Sequence, residues 1–189
     1  MRNIRKLWRS QEGFTLVEIA IVMIIIGLLI GGIIKGQAMI KNAKVKRLVS
    51  DVDGLRAAIL TYQDKYGMLP GDENDPNAPT GDTYNQDNDG RMDDVTDGQE
   101  ISDMRLAEIL PGTGTTLPTH SFGGTLRFDG MNINGSGAQT NWIIATNVPG
   151  EVCQEIDSKY DDGVQTTGEI QGSAAYTANT VVPMLAWRF

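Results

Sequence analysis

The sequence predicts an α+β protein: a long N-terminal helical spine, membrane-spanning in its first half, packed against a small antiparallel β-sheet head. Three observations predict it. From Phe14 to Ile34 the chain holds one charged residue, Glu18, in 21 positions. A helical stripe of apolar residues then continues to Tyr66. Beyond it lie short β-biased segments separated by Gly, Asn, Ser and Pro clusters.

The chain begins with a short basic leader, in which Arg2, Arg5, Lys6 and Arg9 face a single acid, Glu12. Positive charge beside an apolar span is held on the cytoplasmic side, which places the rest of the chain outside that membrane. The apolar run matches a hydrocarbon core of roughly 30 Å at about 1.5 Å of rise per helical residue. A secretory signal peptide is cut beyond its apolar segment and loses it, whereas a cut after Gly13 keeps the segment and frees an amine on Phe14. Glu18 lies one helical turn from that amine. An ionised carboxylate in a bilayer costs on the order of 3 kcal/mol unless it is paired or near an interface. The amine, its own or that of a neighbouring copy, can offset it. The alternative is a Glu18 in the headgroup region of a simple signal anchor.

The string Gly13-Phe14-Thr15-Leu16-Val17-Glu18, after a basic leader and before an apolar helix, resembles the cleavage and methylation signature of type IV pilins and of the pseudopilins of type II secretion. The resemblance implies cleavage by a prepilin peptidase between Gly13 and Phe14 and N-methylation of Phe14. It also implies assembly into a filament through the retained helix, with Glu18 neutralising the terminal amine of an adjacent subunit. The partners it implies are further copies of the chain, the peptidase, an inner-membrane assembly platform and a cytoplasmic assembly ATPase. The precursor then sits in a bacterial inner membrane and the product in a cell-surface or periplasmic filament.

After Lys35, apolar residues recur at Val45, Leu48, Val52, Leu55, Ile59, Tyr62 and Tyr66, spaced by three and four, with charged residues on the other faces. That pattern is an amphipathic helix lying on a core, stopped by Gly67 and Pro70. From Phe14 to Tyr66 it would be about 80 Å long. Four segments follow: a leader, 1–13, that is removed; a transmembrane and assembly helix, 14–36; its amphipathic continuation, 37–66; and a head, 67–189. Where many pilins carry a proline near the end of the apolar segment, this chain has Gly27, Gly31, Gly32 and Gly36. They suggest either a flexible, unwound stretch or close helix packing in the membrane. Lys35-Gly36-Gln37 and Leu69-Pro70-Gly71-Asp72 resemble a subset of bacterial pilin-like proteins with a turn of this kind after the long helix.

The net charge of -8 is uneven, with eleven acids against Arg91 alone between Asp72 and Asp103. Such an acidic loop, 72–103, repels nucleic acid and calls for solvent or counterions. Within it, Asn85, Asp87, Asp89 and Asp93 occupy the alternate positions of the first part of an EF-hand loop, with Gly90 for the sharp turn. Thr96 stands where a closing acid belongs. The two readings are a calcium site and a solvated acidic loop.

Farther on, Ile101, Met104, Leu106 and Leu110 suggest a short helix ended by Pro111-Gly112. Thr125–Phe128, Trp142–Thr146 and Thr180–Phe189 suggest strands. A helix opened by Pro149-Gly150 carries Val152, Ile156 and Tyr160 on one face. It leads into Asp161-Asp162-Gly163, where Asp157, Asp161 and Asp162 could form a second cation site or simply a polar helix end.

His120 and Cys153 are single, so one chain cannot assemble a zinc cluster, and Cys153 falls on the apolar side of its helix. Together with the absence of a phosphate-binding glycine motif, this points away from an enzyme. Many pilins carry a disulfide near the C terminus. With one cysteine this chain cannot form it internally, so packing, hydrogen bonds or a metal must hold that region. The reading is a structural filament subunit of the type IV pilus kind. The alternatives are a type II secretion pseudopilin and, from a different class, a signal-anchored calcium-binding module that does not polymerise.

Overall fold

A computed structural model of the chain describes residues 13–72, 89–92, 98–134 and 139–189. The element order is α1 (Leu16–Tyr66), α2 (Gln99–Leu106), β1 (Leu126–Met131), β2 (Thr140–Pro149), α3 (Gly150–Tyr160), β3 (Ile170–Gly172) and β4 (Val181–Arg188). Two compact units divide the chain at Asn42/Ala43, and α1 contributes to both.

In the N-terminal unit α1 is helical without a break through Gly27, Gly31, Gly32 and Gly36. The unwound stretch that these glycines suggested is not present here. Glycine keeps its N–H, so the i→i−4 ladder is not interrupted, and a cooperative helix extends through weak formers at about 1 kcal/mol each. The segment is long and apolar enough to cross a membrane, and its large apolar side chains, Leu16 to Ile34, are all exposed.

In the second unit α1 behaves as the stripe requires. Val45, Leu48, Val52, Leu55, Ile59 and Tyr62 are buried, joined by Ala58, while Tyr66 packs at the edge of the same core. Gly67, at φ +78°, closes the helix with its N–H on the Gln63 carbonyl (2.7 Å). Leu69 to Asp72 then make a turn in which Pro70 takes the second place and Gly71, at φ +86°, the third; Asp72 N–H returns to the Leu69 carbonyl (3.2 Å). Those are the residues a type II turn demands.

The four strands form one antiparallel sheet in the order β1-β2-β4-β3. Leu126, Phe128, Ile143, Ala145, Leu185 and Trp187 join the apolar stripe of α1 in the main core, and Trp142, Ile144 and Ala186, with Ile133, form a smaller cluster. The pairing of β2 with β4 skips one position, Asn147 opposite Pro183. Proline has no N–H to donate, and Asn147 turns to φ +57° there. The three-residue strand β3 has no periodic signal in the sequence. It exists because its backbone pairs with β4, Ile170 opposite Trp187.

Two apolar residues depart from the expected faces. Leu106 is 54% exposed and Tyr160 46%. Helix α2 stops at Leu106, before Pro111, because Glu108 adopts φ +61° and the N–H groups of Glu108 and Ile109 return to the Arg105 and Met104 carbonyls (3.0 and 2.9 Å). This is a Schellman closure with a glutamate where glycine is customary. In α3 the buried face is Val152, Cys153, Ile156 and Asp157, which leaves Tyr160 at its margin.

Candidate functional site

The first turn of α1 is a reciprocal capping box. Thr15 stands at the N-cap and Glu18 three positions into the helix. Glu18 N–H donates to the Thr15 hydroxyl (3.2 Å), and both the Thr15 backbone N–H and its hydroxyl donate to Glu18 Oε2 (2.8 Å each). Two of the N–H groups that every helix start leaves unpaired are thus satisfied by side chains. Thr15 is a contributor that the sequence reading passed over, although the spacing Thr15-x-x-Glu18 is itself the capping-box signature. Phe14, Glu18, Ile19, Ile21 and Val22 line a shallow apolar concavity at this end.

Residues 8–34 match the prokaryotic N-terminal methylation motif. This chain carries a prepilin-type N terminus. The motif places it as a type IV pilin-like or pseudopilin precursor, and the long apolar helix with its small antiparallel sheet is a pilin-like α+β fold. No curated protein and no solved structure matches the chain. A prepilin-type motif marks a structural subunit, membrane-anchored as a precursor, and in general implies peptidase processing and filament assembly.

Elsewhere on this prepilin-type chain, the EF-hand-like positions Asn85, Asp87 and Asp93 lie outside the described residues. Asp89 is described, and its carboxylate accepts Arg91 N–H (3.0 Å) and pairs with the Arg91 guanidinium. The acidic block is not uniformly solvated, for Asp72, Glu100 and Asp103 are all buried. Backbone donors account for part of this. Asp72 accepts the N–H groups of Asp89 (3.0 Å) and Gly90 (2.8 Å), and Glu100 accepts those of Gly98 (3.2 Å) and Phe128 (3.4 Å). Asn141 completes the anchorage, taking Met92 N–H on Oδ1 (3.0 Å) and giving its Nδ2–H to the Gly90 carbonyl (2.8 Å). The segment before buried Met92 is therefore tied both to the turn after α1 and to β2.

The structure does not bring His120 and Cys153 into a hydrogen-bonded pair. Phe122 N–H donates to His120 Nδ1 (3.2 Å), which leaves Nε2 as the donor to the Thr146 carbonyl (2.8 Å). A side chain on Gly124 would strike both that carbonyl and the ring, so glycine is required at this crossing. The thiol of Cys153 is buried against the Val148 carbonyl, and burial pushes it up to about 12, far from a reactive thiolate.

At the C-terminal end of α3, Asp157, Asp161 and Asp162 converge, with one carboxylate oxygen of each within 4.8 Å of the others. Asp157 accepts Gly163 N–H (2.9 Å), Asp161 accepts Ile170 N–H (2.6 Å), and Asp162 accepts Val164 N–H (2.8 Å) and the Thr167 hydroxyl (2.6 Å). Burial raises the Asp157 carboxyl above its ordinary value, while the Thr167 and Val164 hydrogen bonds lower Asp162. Burial and the adjacent Asp157 raise the Tyr176 phenol. Gly168 sits at φ +80° against the Asp161 carboxylate, where a side chain would collide with it. These contacts fasten the loop after α3 to the start of β3.

Proposed function

We propose that the mature chain is a structural subunit of a type IV pilus-like filament. The match of residues 8–34 to the methylation motif carries this reading. Cleavage between Gly13 and Phe14 frees an amine, which is then N-methylated, next to a helix whose apolar side chains are unburied within the chain itself. Burying that surface against identical helices spares it contact with water once the chain leaves the bilayer, at about 25 cal/mol per Å² of apolar area; within the bilayer, where lipid is as apolar as the side chains, close packing takes that part. Glu18 sets the register. Its carboxylate, steadied by Thr15, is the one negative charge in the apolar run, and the amine of an adjacent Phe14 is the charge that offsets it. The precursor waits in the inner membrane, leader inside and head outside, and an assembly platform driven by a cytoplasmic ATPase extracts it. The role is mechanical, with no catalytic step assigned to the head.

Fibres sheared from the cell surface and analysed by mass spectrometry test this. A mature chain beginning at methylated Phe14 within those fibres is the expected result. A processed chain that stays in the envelope and is absent from fibres points instead to a pseudopilin of a type II secretion system. An intact leader overturns both.

A further inference from the structure

We propose that the basic residues of α1 just beyond its apolar run, Lys35, Lys41, Lys44, Lys46 and Arg47, bind the headgroups of anionic phospholipid at the membrane face from which the head emerges. The proposal rests on the membrane-anchored reading of the chain and stands whether or not the chain polymerises. Between Glu18 and Asp51 the sequence holds these five cations and no acid, and Lys35 follows directly on Ile34, where the apolar run ends. Basic residues ordinarily gather on the cytoplasmic side of a span, so a second group at its other end needs a local reason. A cut after Gly13 removes Arg2, Arg5, Lys6 and Arg9, and the lysines and arginines flanking the span of the mature chain are then those at the head end alone.

The protein itself does not neutralise this charge. Lys35, Lys44, Lys46 and Arg47 are exposed. Among the described residues, Lys35 and Lys46 form no ion pair, and the Lys44 ammonium lies over the Phe122 ring (5.8 Å). Asp51 is 3.9 Å from the Arg47 guanidinium, but the Arg47 side chain is 76% exposed, and water screens so long a pair.

Helix geometry favours a lipid surface over a neighbouring protein helix. A helix laid alongside needs a stripe of positions three and four apart. At about 100° per residue, the spacings of six, three, two and one between these cations spread them round the axis of α1. A collar of that kind meets a plane that the helix crosses. Lys35 and Lys41 are about 9 Å apart along α1, comparable with a headgroup layer of roughly 5–8 Å on each side of the hydrocarbon. Lys44, Lys46 and Arg47 open the second unit within five residues of its start. Side chains on a helix lean toward its N terminus, here toward the span, and long basic stems extend that reach. Each cation brought to an anionic surface adds roughly fivefold to the affinity. The collar would hold the head end of α1 at the bilayer surface while the subunit is stored there.

The full-length chain, one copy per lipid nanodisc, is acetylated with an amine-reactive ester, and each lysine is read by mass spectrometry. Discs of phosphatidylcholine are compared with discs holding about one-third phosphatidylglycerol, in low salt and at about 0.5 M, where exposed charges are screened within a few ångströms. In the anionic discs at low salt, Lys44 and Lys46 are expected to react at least about threefold more slowly, and to recover in high salt. Lys65 and Lys159, elsewhere on the head, are expected to react alike in both discs. Lys46→Gln combined with Arg47→Gln, both at exposed positions, is expected to lessen the protection of Lys44 with the circular dichroism unchanged. Equal rates for Lys44 and Lys46 in the two kinds of disc overturn the proposal. So does slowing shared equally by Lys65 and Lys159, or full protection of Lys44 in the double variant. Slowing that arises only when two copies occupy a disc also overturns it and assigns the collar to a second copy of the chain. Fibres play no part in this readout, so it fails or holds apart from the filament reading.

Discussion

Thr15 and Glu18 exchange hydrogen bonds across the first turn of α1, hydroxyl to backbone N–H in one direction and N–H and hydroxyl to carboxylate in the other. The carboxylate proposed to set filament register is therefore held by its own chain. A Thr15→Val substitution removes the hydroxyl and keeps the bulk. It should weaken the helix start by about 1 kcal/mol and leave Glu18 less well directed. Cleavage of the leader should proceed, while the amount of subunit recovered in sheared fibres falls, as read by immunoblot of cell and fibre fractions.

Asp72 stands where α1 gives way to the head, and its buried carboxylate receives the N–H groups of both Asp89 and Gly90. Replacing it with alanine strands those donors. The expected loss is about 2–3 kcal/mol, in the range for hydrogen bonds to a charged group. Thermal unfolding of the head should shift down accordingly. Limited proteolysis should cut the head sooner than in the natural protein.

Glu108 occupies the left-handed position that closes α2. A non-glycine residue there is disfavoured by about 1 kcal/mol or slightly more. Glu108→Gly should therefore stabilise the head by up to about 1 kcal/mol, the gain reduced by the greater freedom of glycine in the unfolded chain. Chemical denaturation would show a higher midpoint with an unchanged slope; a lower midpoint would mean that the Glu108 side chain contributes contacts of its own.

Asp157 gives the head a defined pH response. Its carboxyl is raised by burial, so the folded state holds the proton more tightly than the unfolded one. Its contribution to stability is present below the unfolded value and is lost as pH rises through the higher folded value. Asp162, lowered by its hydrogen bonds, acts in the opposite sense and loses its contribution as pH falls. Asp157→Asn, which mimics the protonated form, should be at least as stable as the natural chain at neutral pH. The difference should vanish toward acid, as followed by the thermal midpoint across that range.

Much of this arrangement was legible in the sequence because it depends on local pattern. The spacing of Val45, Leu48, Val52, Leu55, Ile59 and Tyr62 named the buried face of α1 directly, since a 3.6-residue period fixes which side chains share a side. Pro70 and Gly71 named their turn. Strands with alternating or β-branched composition were found, whereas β3 was not, because three residues carry no period and owe their structure to the neighbouring strand. Leu106 and Tyr160 were placed on apolar faces by spacing alone, but α2 ends early at Glu108 and α3 turns Asp157 inward in place of Tyr160. The acidic block read as solvated because composition says nothing about backbone donors. Asp72 and Glu100 are buried at the points where distant N–H groups meet them.

The sequence by itself determined the N-terminal programme: a basic leader, a glycine before phenylalanine, a carboxylate one turn on and a long apolar segment. Each is a short-range relation fixed by chain geometry. Only the tertiary structure decided that Asp157, Asp161 and Asp162 converge, that Asp72 clasps Gly90, and that His120 and Cys153 serve the core separately. Those outcomes depend on which backbone groups from remote parts of the chain arrive at each side chain, and that is settled by packing rather than by spacing.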